Sequence, residues 1–325
     1  MRDITDNSSI DLSLTNVWKS WVAFRKDKKP SREIIFFESD LEKNLLSLCA
    51  ELNNGRYRHG GYNHRIINEK KRRDISVASV KDRVVHRLLY DYLVPYVDPR
   101  LDYDVWSCRK NKGLHKALLR THELSSRYSH AWIWRADISK FFDNVDQQVL
   151  GQCIKRFVED AVTLGLIDKV IGSYITIKSV SQSVSQSGIP IGNLTSQIFA
   201  NIYLNEFDRF VRNTIKPLGY VRYGDDFVIF LNIEKQANKA KDISTKWLFD
   251  TLKLNIHIKN NVIIKAKYGL HFLGHWIYPT SNIVIDSNMA NKIVRDINSR
   301  NASSYGAMYL TKRQKRQLSW LLKDI

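Results

Sequence analysis

The sequence predicts an α+β fold. Long segments carry apolar residues at helical spacing, while short apolar runs at 131–134, 220–223 and 227–231 have strand length. Two of the strand-type regions end in acids, Asp137 in one and the pair Asp225-Asp226 in the other. Apolar residues make up 43% of the 325, ample for a buried core and several subdomains.

Residues 1–11 are polar and read as loose. Leu14 to Phe24 and Phe36 to Leu52 read as helices, separated by the basic segment RKDKKPSR. Gly55, Gly60 and Gly61 mark loops, and EKKRRDISVAS reads as a basic turn leading into a strand. Asp82 to Val97 predicts a helix with Pro95 near its end, and a further helix enters through Gly113. Helices follow Phe142 and span Asp168 to Tyr174; the Ser/Gln-rich stretch 178–188 reads as a strand-loop or mobile loop. Helical spacing returns over Leu194 to Val211 and Glu234 to Leu254, then strands run to Pro279. Two short basic helices are expected in the tail, at 288–298 and 312–323.

The segment VRYGDDFVIF reads as strand, tight turn, strand, with Gly224 easing the turn. Two like charges at a turn between core strands do not help folding. They do suit a hard cation, which takes carboxylate oxygens together with substrate phosphates. A solvated Asp-Asp turn is the plain alternative. In WIWRADISKFFDNVD, Asp137 closes a strand before a helix, where it could also be a mere helix cap. Three carboxylates on neighbouring strands can hold two metal ions for an in-line displacement at phosphorus.

The motifs DISKFF and RYGDDFV resemble the palm of a reverse transcriptase. Between them GIPIGNLTSQIFANIYLNEFDRFV, Gly188 to Val211, is similar to the reverse transcriptases of diversity-generating retroelements and related bacterial antiphage-defence enzymes. SVKDRVVHRLLYDYLVPYVDP and YDVWSCRKNKGLHKAL match that group's finger motifs, and HFLGHWIYP its last palm motif. The resemblance runs in order from Trp18 to Pro279. It implies a right-hand polymerase: fingers over 12–130, a palm with an antiparallel sheet over 131–279 carrying a finger-side insertion around 151–200, and a short thumb-like helical tail over 280–325. It also implies RNA-directed DNA synthesis on a dedicated structured RNA, with two Mg2+ ions for which Mn2+ could substitute.

The resemblance assigns roles residue by residue. Asp137 and Asp225 are the direct metal ligands, Asp226 the less constant one, and the Ala136 and Ile138 carbonyls could add oxygens. Phe142, five residues after Asp137, takes the position that excludes a 2′-hydroxyl by bulk; one of Phe141 and Phe142 is expected in the core. Within Lys70-Lys71-Arg72-Arg73, Lys71 and Arg73 are the favoured triphosphate clamp, a solvated basic loop or a template contact being the alternatives. Arg83 and Arg109 are expected at template or nucleotide, with Lys110 and Lys112 on the phosphate backbone. Gly188, Pro190, Ile191, Gly192 and Asn193 form a close-approach loop for the nascent pair.

Departures from the wider family are informative. Most retroviral-type and intron-type enzymes place Gln where Ile191 stands; here Gln197 follows in the Ser196-Gln197 pair of the diversity-generating group. An aliphatic side chain cannot hydrogen-bond the incoming nucleotide, so the resemblance implies reduced fidelity, notably opposite template adenine. Relatives carry a larger residue where Gly224 stands. The acid for pyrophosphate release is Lys259 or Lys265. The tail matches only at Ser304, Tyr305 and Gly306, so a structured noncoding RNA, an accessory protein or an oligomer is expected to supply grip.

Composition bears on partners. Lys plus Arg outnumber Asp plus Glu by 51 to 33, a formal net charge of +18, which suits a polyanion; a cationic membrane-surface protein is the alternative. No apolar run is long enough for a bilayer and MRDITDNSSI does not read as a signal peptide, so no membrane partner and a cytoplasmic location are expected. Cys49, Cys108 and Cys153 are odd in number and scattered, reading as reduced thiols, and no CxxC or His271/His275 pair supports zinc. Two other functions compete with templated copying. One is a defence nucleotidyl transferase making untemplated or protein-primed DNA, the other a non-catalytic, maturase-like RNA-binding scaffold, against which the three intact acids argue.

Overall fold

The computed structural model describes residues 9–68, 72–174 and 187–297. In chain order the elements are α1 (Leu14–Arg25), α2 (Arg32–Ser39), α3 (Leu41–Asn53), β1 (Tyr62–Asn68), β2 (Arg72–Ala78), α4 (Val80–Val97), α5 (Leu114–Arg127), β3 (Trp132–Ile138), α6 (Phe141–Asn144), α7 (Gln147–Ile154) and α8 (Ala161–Gly172). They continue with α9 (Leu194–Phe210), β4 (Gly219–Tyr223), β5 (Asp226–Leu231), α10 (Glu234–Leu252), β6 (Ile256–Lys265), β7 (Leu270–Phe272), β8 (His275–Ile277), β9 (Val284–Ile285) and α11 (Ser287–Asp296). The chain divides into two compact units, one taking residues 1–101, 140–208 and 251–254, the other 102–139, 209–250 and 255–325.

In the first unit, α4 is the central helix. Val84, Val85, Leu88, Leu89 and Leu93 are buried along it, and α1 and α2 pack against it. Its start is fixed by Ser79, whose hydroxyl accepts from the Asp82 amide. The expected helix over Phe36 to Leu52 is two helices broken at Asp40, which leaves helical geometry at φ −125°, ψ 40°. The carbonyl of Phe37 at that break accepts from Asn44 Nδ2. The expected strand after the basic turn is β2, and it pairs antiparallel with β1, a strand that the reading by loops at Gly60 and Gly61 did not include.

The second unit is built on an antiparallel sheet in the order β4-β5-β3-β6. The strands β4 and β5 are buried almost throughout, as their apolar runs require. One face of this sheet, with Ile133, Val221, Val228 and Phe230, joins α5 residues Leu118 and Leu124 and the β7-β8 residues Leu270, Phe272 and Ile277 in one core. Helix α10 buries Ala237, Ala240, Ser244 and Leu248, spaced by three and four, so a single stripe faces inward. The tail helix expected over 288–298 is α11; the one expected over 312–323, with Ser304 to Gly306 and most of the 178–188 stretch, lies outside the described residues. Among the described residues no helix is long and apolar enough to cross a membrane. The three cysteines are free thiols.

Candidate active site

The acids meet in the second unit because of strand register. Strands β3 and β5 pair so that Asp137 stands directly opposite Asp226. Directly opposed residues project to the same face, with Cβ atoms about 4.5–5.5 Å apart. Strands β4 and β5 are joined by the two-residue turn Gly224-Asp225, since Tyr223 pairs with Asp226. Gly224 takes φ +66° and Asp225 does not have positive φ, the arrangement of a hairpin with glycine at its first central position. The Ile138 amide donates to the Asp225 carbonyl at 3.3 Å, tying the turn to the end of β3. All three predicted carboxylates, with Ile138, thus occupy one end of one sheet.

Asp137 is half-buried. Its side chain is 13% exposed. Oδ2 accepts from Asn260 Nδ2 at 2.8 Å, and His257 Nδ1 lies 3.9 Å from Oδ1. Oδ1 itself is buried and, among the described residues, has no hydrogen-bond partner. Both neighbours come from an irregularity in β6: Ala136 pairs with Asn261, but Ile138 pairs with Ile256, so residues 257–260 bulge opposite Asp137. Sequence reading missed Asn260 and His257. The Asn260-Asn261 pair inside a strand rich in isoleucine and valine was the available signal, because asparagine is depleted in regular ladders.

The same strand separates the two candidate lysines. Lys259 is exposed within the bulge, its amide donating to His257 Nδ1. Lys265 pairs with Trp132 at the other end of β3, and its ammonium sits 5.9 Å from that indole ring. Five residues of strand put Lys265 about 17 Å from the acidic end.

Further predicted residues of the second unit are engaged locally. Arg109 donates to the carbonyls of Asp102 and Val105, at 2.7 and 3.2 Å. The Lys112 ammonium donates to the Tyr103 carbonyl and lies about 4 Å from the centroids of both Tyr103 and Trp106. Lys110 is exposed.

In the first unit, the predicted close-approach loop is pinned on β2. The Ser76 amide donates to the Ile191 carbonyl at 3.2 Å, and Asn193 Nδ2 donates to the Ser76 carbonyl at 2.7 Å. Gly188, at φ +93°, donates to the Val145 carbonyl, and its own carbonyl accepts from Gln147 Nε2. Gly192, at φ +102°, lies so close to β2 that an added Cβ would sit 2.6 Å from Ile75 Cγ2. Pro190 is buried, Ile191 half-buried, and Gln197 exposed in the first turns of α9. Phe141 is buried while Phe142 is half-buried, and the two rings meet edge to face at 5.3 Å. The Phe142 carbonyl accepts from the Ile189 amide, which links α6 to the loop. Arg83 pairs with Glu33 at 2.8 Å and lies over the Phe24 ring. Lys71 is outside the described residues, and Arg73 is described only as a backbone position of β2 opposite Ile67.

Comparison with known proteins agrees with these motifs. The family model for reverse transcriptase (RNA-dependent DNA polymerase) matches residues 62–277, more than half of the chain. The chain belongs to the reverse transcriptase family, and its fold is that of a right-hand polymerase with an antiparallel sheet. It is 25% identical over 241 residues to Protein YkfC of Escherichia coli K12, covering 63% of each chain. It is 22% identical over 278 residues to the group II intron-encoded protein LtrA of Lactococcus lactis subsp. cremoris, covering 64% of this chain and 45% of LtrA. The chain therefore spans less than two thirds of the length of either relative. Apo telomerase from Candida tropicalis aligns in structure with a TM-score of 0.49 and 11% identity, over 77% of this chain and 54% of telomerase.

Proposed function

We propose that this chain is an RNA-directed DNA polymerase that copies a structured RNA into cDNA, with Asp137, Asp225 and Asp226 as its catalytic acids. The observation that carries this reading is the register pairing of Asp137 with Asp226, Asp225 standing beside them in the turn. Like charges directly opposed across a ladder destabilise it, so the arrangement calls for a cation. Among the described residues no group of three or more His, Cys, Asp or Glu side chains could hold a metal ion by itself. Substrate phosphates and water would therefore have to complete any magnesium site, as they commonly do for this ion. The buried Asp137 Oδ1, without a hydrogen-bond partner among the described residues, also fits a hard cation. Asp137, Asp225 and Asp226, with the Ile138 carbonyl, would hold Mg2+ ions, or Mn2+ in their place. Bound there, the ions would activate the attacking 3′-hydroxyl and neutralise charge on the transferring phosphoryl group.

The chain's own residues do the rest. Asn260 orients the Asp137 carboxylate by its bond to Oδ2. Lys259, exposed in the bulge beside Asp137, is the better placed of the two lysines to give a proton to departing pyrophosphate. Phe142 is assigned the check against a 2′-hydroxyl, Lys71 and Arg73 the triphosphate, and the 188–192 loop with Gln197 the nascent pair. Arg83, Arg109, Lys110 and Lys112 are assigned to nucleic acid, Arg109 and Lys112 acting chiefly through the loop they brace.

The finer setting, a diversity-generating retroelement or an antiphage defence system, is supported by Ile191 and the Ser196-Gln197 pair. Deoxynucleoside triphosphates and a cognate noncoding RNA are the corresponding partners, with an accessory protein or a second copy supplying grip. The test is deoxynucleotide incorporation on an RNA template. Asp225→Asn keeps the shape of the turn and removes charge, so incorporation should fall by at least about a hundredfold, the scale on which lost transition-state charge stabilisation is felt. Activity within a few-fold of the unmodified chain would remove Asp225 from the catalytic set.

A further inference from the structure

The acidic turn is open at Gly224. An added Cβ at Gly224 would meet nothing within 4 Å, so glycine is required there by its φ of +66° and not by crowding. The central residues of a two-residue hairpin turn ordinarily give their polar backbone groups to water. Here both polar groups of Gly224 are taken by protein side chains. Its amide donates to Ser107 Oγ at 2.8 Å, and its carbonyl accepts from Arg222 Nη1 at 3.0 Å. Arg222 is fully buried, at 0% exposure, although it stands in the middle of an apolar strand.

Ser107 is itself held in place. The segment from Asp104 to Ser107 runs along the free side of β4, with the Arg222 amide donating to the Asp104 carbonyl and the Trp106 amide to the Arg222 carbonyl, both at 2.9 Å. Val105 makes a parallel bridge with Arg222. The start of that segment is anchored by charge. Arg212 grips Asp102 with two bonds, at 2.7 and 2.9 Å, and reaches Asp104 at 3.1 Å, while Arg120 grips Asp104 at 2.9 and 3.3 Å. Burial alone would raise the Asp102 carboxyl, but the bonds from Arg212 and the Asp104 amide hold it below its usual range. A braced strand edge thus delivers one hydroxyl to one backbone amide of the turn.

On the polymerase reading above, we propose that Ser107 and Arg222 are positioning residues that hold Gly224 by both backbone groups and so set Asp225 and Asp226 against Asp137 for cation binding. Both act on the turn's backbone. Their role follows from the balance of forces at the turn. Asp225 and Asp226 are adjacent, Asp137 opposes Asp226, and repulsion between like charges works against the closed, paired hairpin. Fixing the turn from both sides resists that opening before a cation arrives, which raises cation affinity by preorganisation.

The experiment is Ser107→Ala in the full chain, with Mn2+ affinity read directly from the electron paramagnetic resonance signal of the free ion. Melting temperature and the Mg2+ dependence of DNA synthesis are measured beside it. The loss of one hydrogen bond predicts about a two- to tenfold weakening of Mn2+ binding, matched by a similar rise in the Mg2+ concentration for half-maximal synthesis. The maximal rate at saturating Mg2+ and the melting temperature should stay close to those of the unmodified chain. Unchanged Mn2+ affinity would overturn the proposal, as would a fall in maximal rate with an unchanged Mg2+ requirement. The two readings fail separately. If the unmodified chain binds Mn2+ in an Asp225-dependent way but makes no DNA, the polymerase reading falls and the positioning role stands. If it makes DNA and Ser107→Ala binds Mn2+ normally, the positioning role alone falls.

Discussion

Gly192→Ala tests whether the 188–193 loop is positioned by β2. Two costs follow from its geometry. At φ +102° an L-residue sits in a sparsely populated region, a strain of about 1–3 kcal/mol. The new Cβ would also lie 2.6 Å from Ile75 Cγ2. Isoleucine is stiff about χ1 and Ile75 is part of a paired strand, so it cannot simply swing away. Overpacking of this kind costs about another 1–3 kcal/mol. Against these stand the two bonds that dock the loop, Ser76 N to the Ile191 carbonyl and Asn193 Nδ2 to the Ser76 carbonyl, worth together about 1–3 kcal/mol. The strain equals or exceeds the tether, so the loop should lift from β2 rather than the unit unfold. Denaturant melts should show a loss of about 1–3 kcal/mol. Steady-state titration should show KM for deoxynucleotides rising by more than kcat falls, because the acids proposed as catalytic stand on a different unit of the chain. Adding Ile75→Ala removes the clash but not the backbone strain, so the pair should show a coupling of about 1 kcal/mol or more. A stability change below about 0.5 kcal/mol with unchanged KM, or strict additivity with Ile75→Ala, would refute the docking argument.

Acid should weaken the first unit through His86. His59 Nδ1 donates to the Gly60 carbonyl, so His59 Nε2 must accept from His86 Nε2 at 2.9 Å, leaving the buried His86 Nδ1 with no acceptor for a second proton among the described residues. Burial first, and then the neighbouring His59 and Arg83, push His86 down to about 3 from an ordinary 6.5. The unfolded chain therefore binds the extra proton between those values. Stability is fully present above about pH 6.5 and falls with pH below it, by up to about 1.4 kcal/mol per pH unit. Thermal melts from pH 7.5 downward should show a shallower acid slope for His86→Gln, and equal slopes would show that His86 charges without penalty. At the loop, Ile191→Gln supplies a donor and acceptor worth about 0.5–1.5 kcal/mol to a well-formed pair, so errors opposite template adenine should fall about two- to tenfold. Sequencing of cDNA made by both variants on one template reads this, and equal error spectra would make Ile191 a packing residue.

The acids stood out in the sequence because they contrast with their surroundings: charge at the ends of apolar runs does little for folding, and a solvated turn and a helix cap are the plain alternatives to cation chemistry. The helices were legible from period alone, yet period could not show that Phe36 to Leu52 breaks at Asp40, since the apolar stripe continues across the break. Strand β1 was illegible for a related reason. YNHRIIN has weak alternation and leaves Ile66 exposed, so it owes its conformation to pairing with β2 rather than to a buried face.

The support of the site was hidden for a deeper reason. Ser107, Arg222 and Asn193 all act on backbone groups, and a backbone amide or carbonyl has no residue identity that a sequence could display. Arg222 in an apolar strand would ordinarily be placed at an exposed position, yet it is buried, with its guanidinium donating to a carbonyl of the very turn it precedes. Carboxylates that bind substrate or cation are constrained by what they touch outside the protein, so their type and spacing persist as motifs. Residues that hold those carboxylates are constrained by geometry inside it, and any acceptor that reached the Gly224 amide, or any donor that reached its carbonyl, could serve. That difference predicts where sequence reading of such a site stops: it finds the acids proposed for the chemistry and misses the hydrogen bonds proposed to position them.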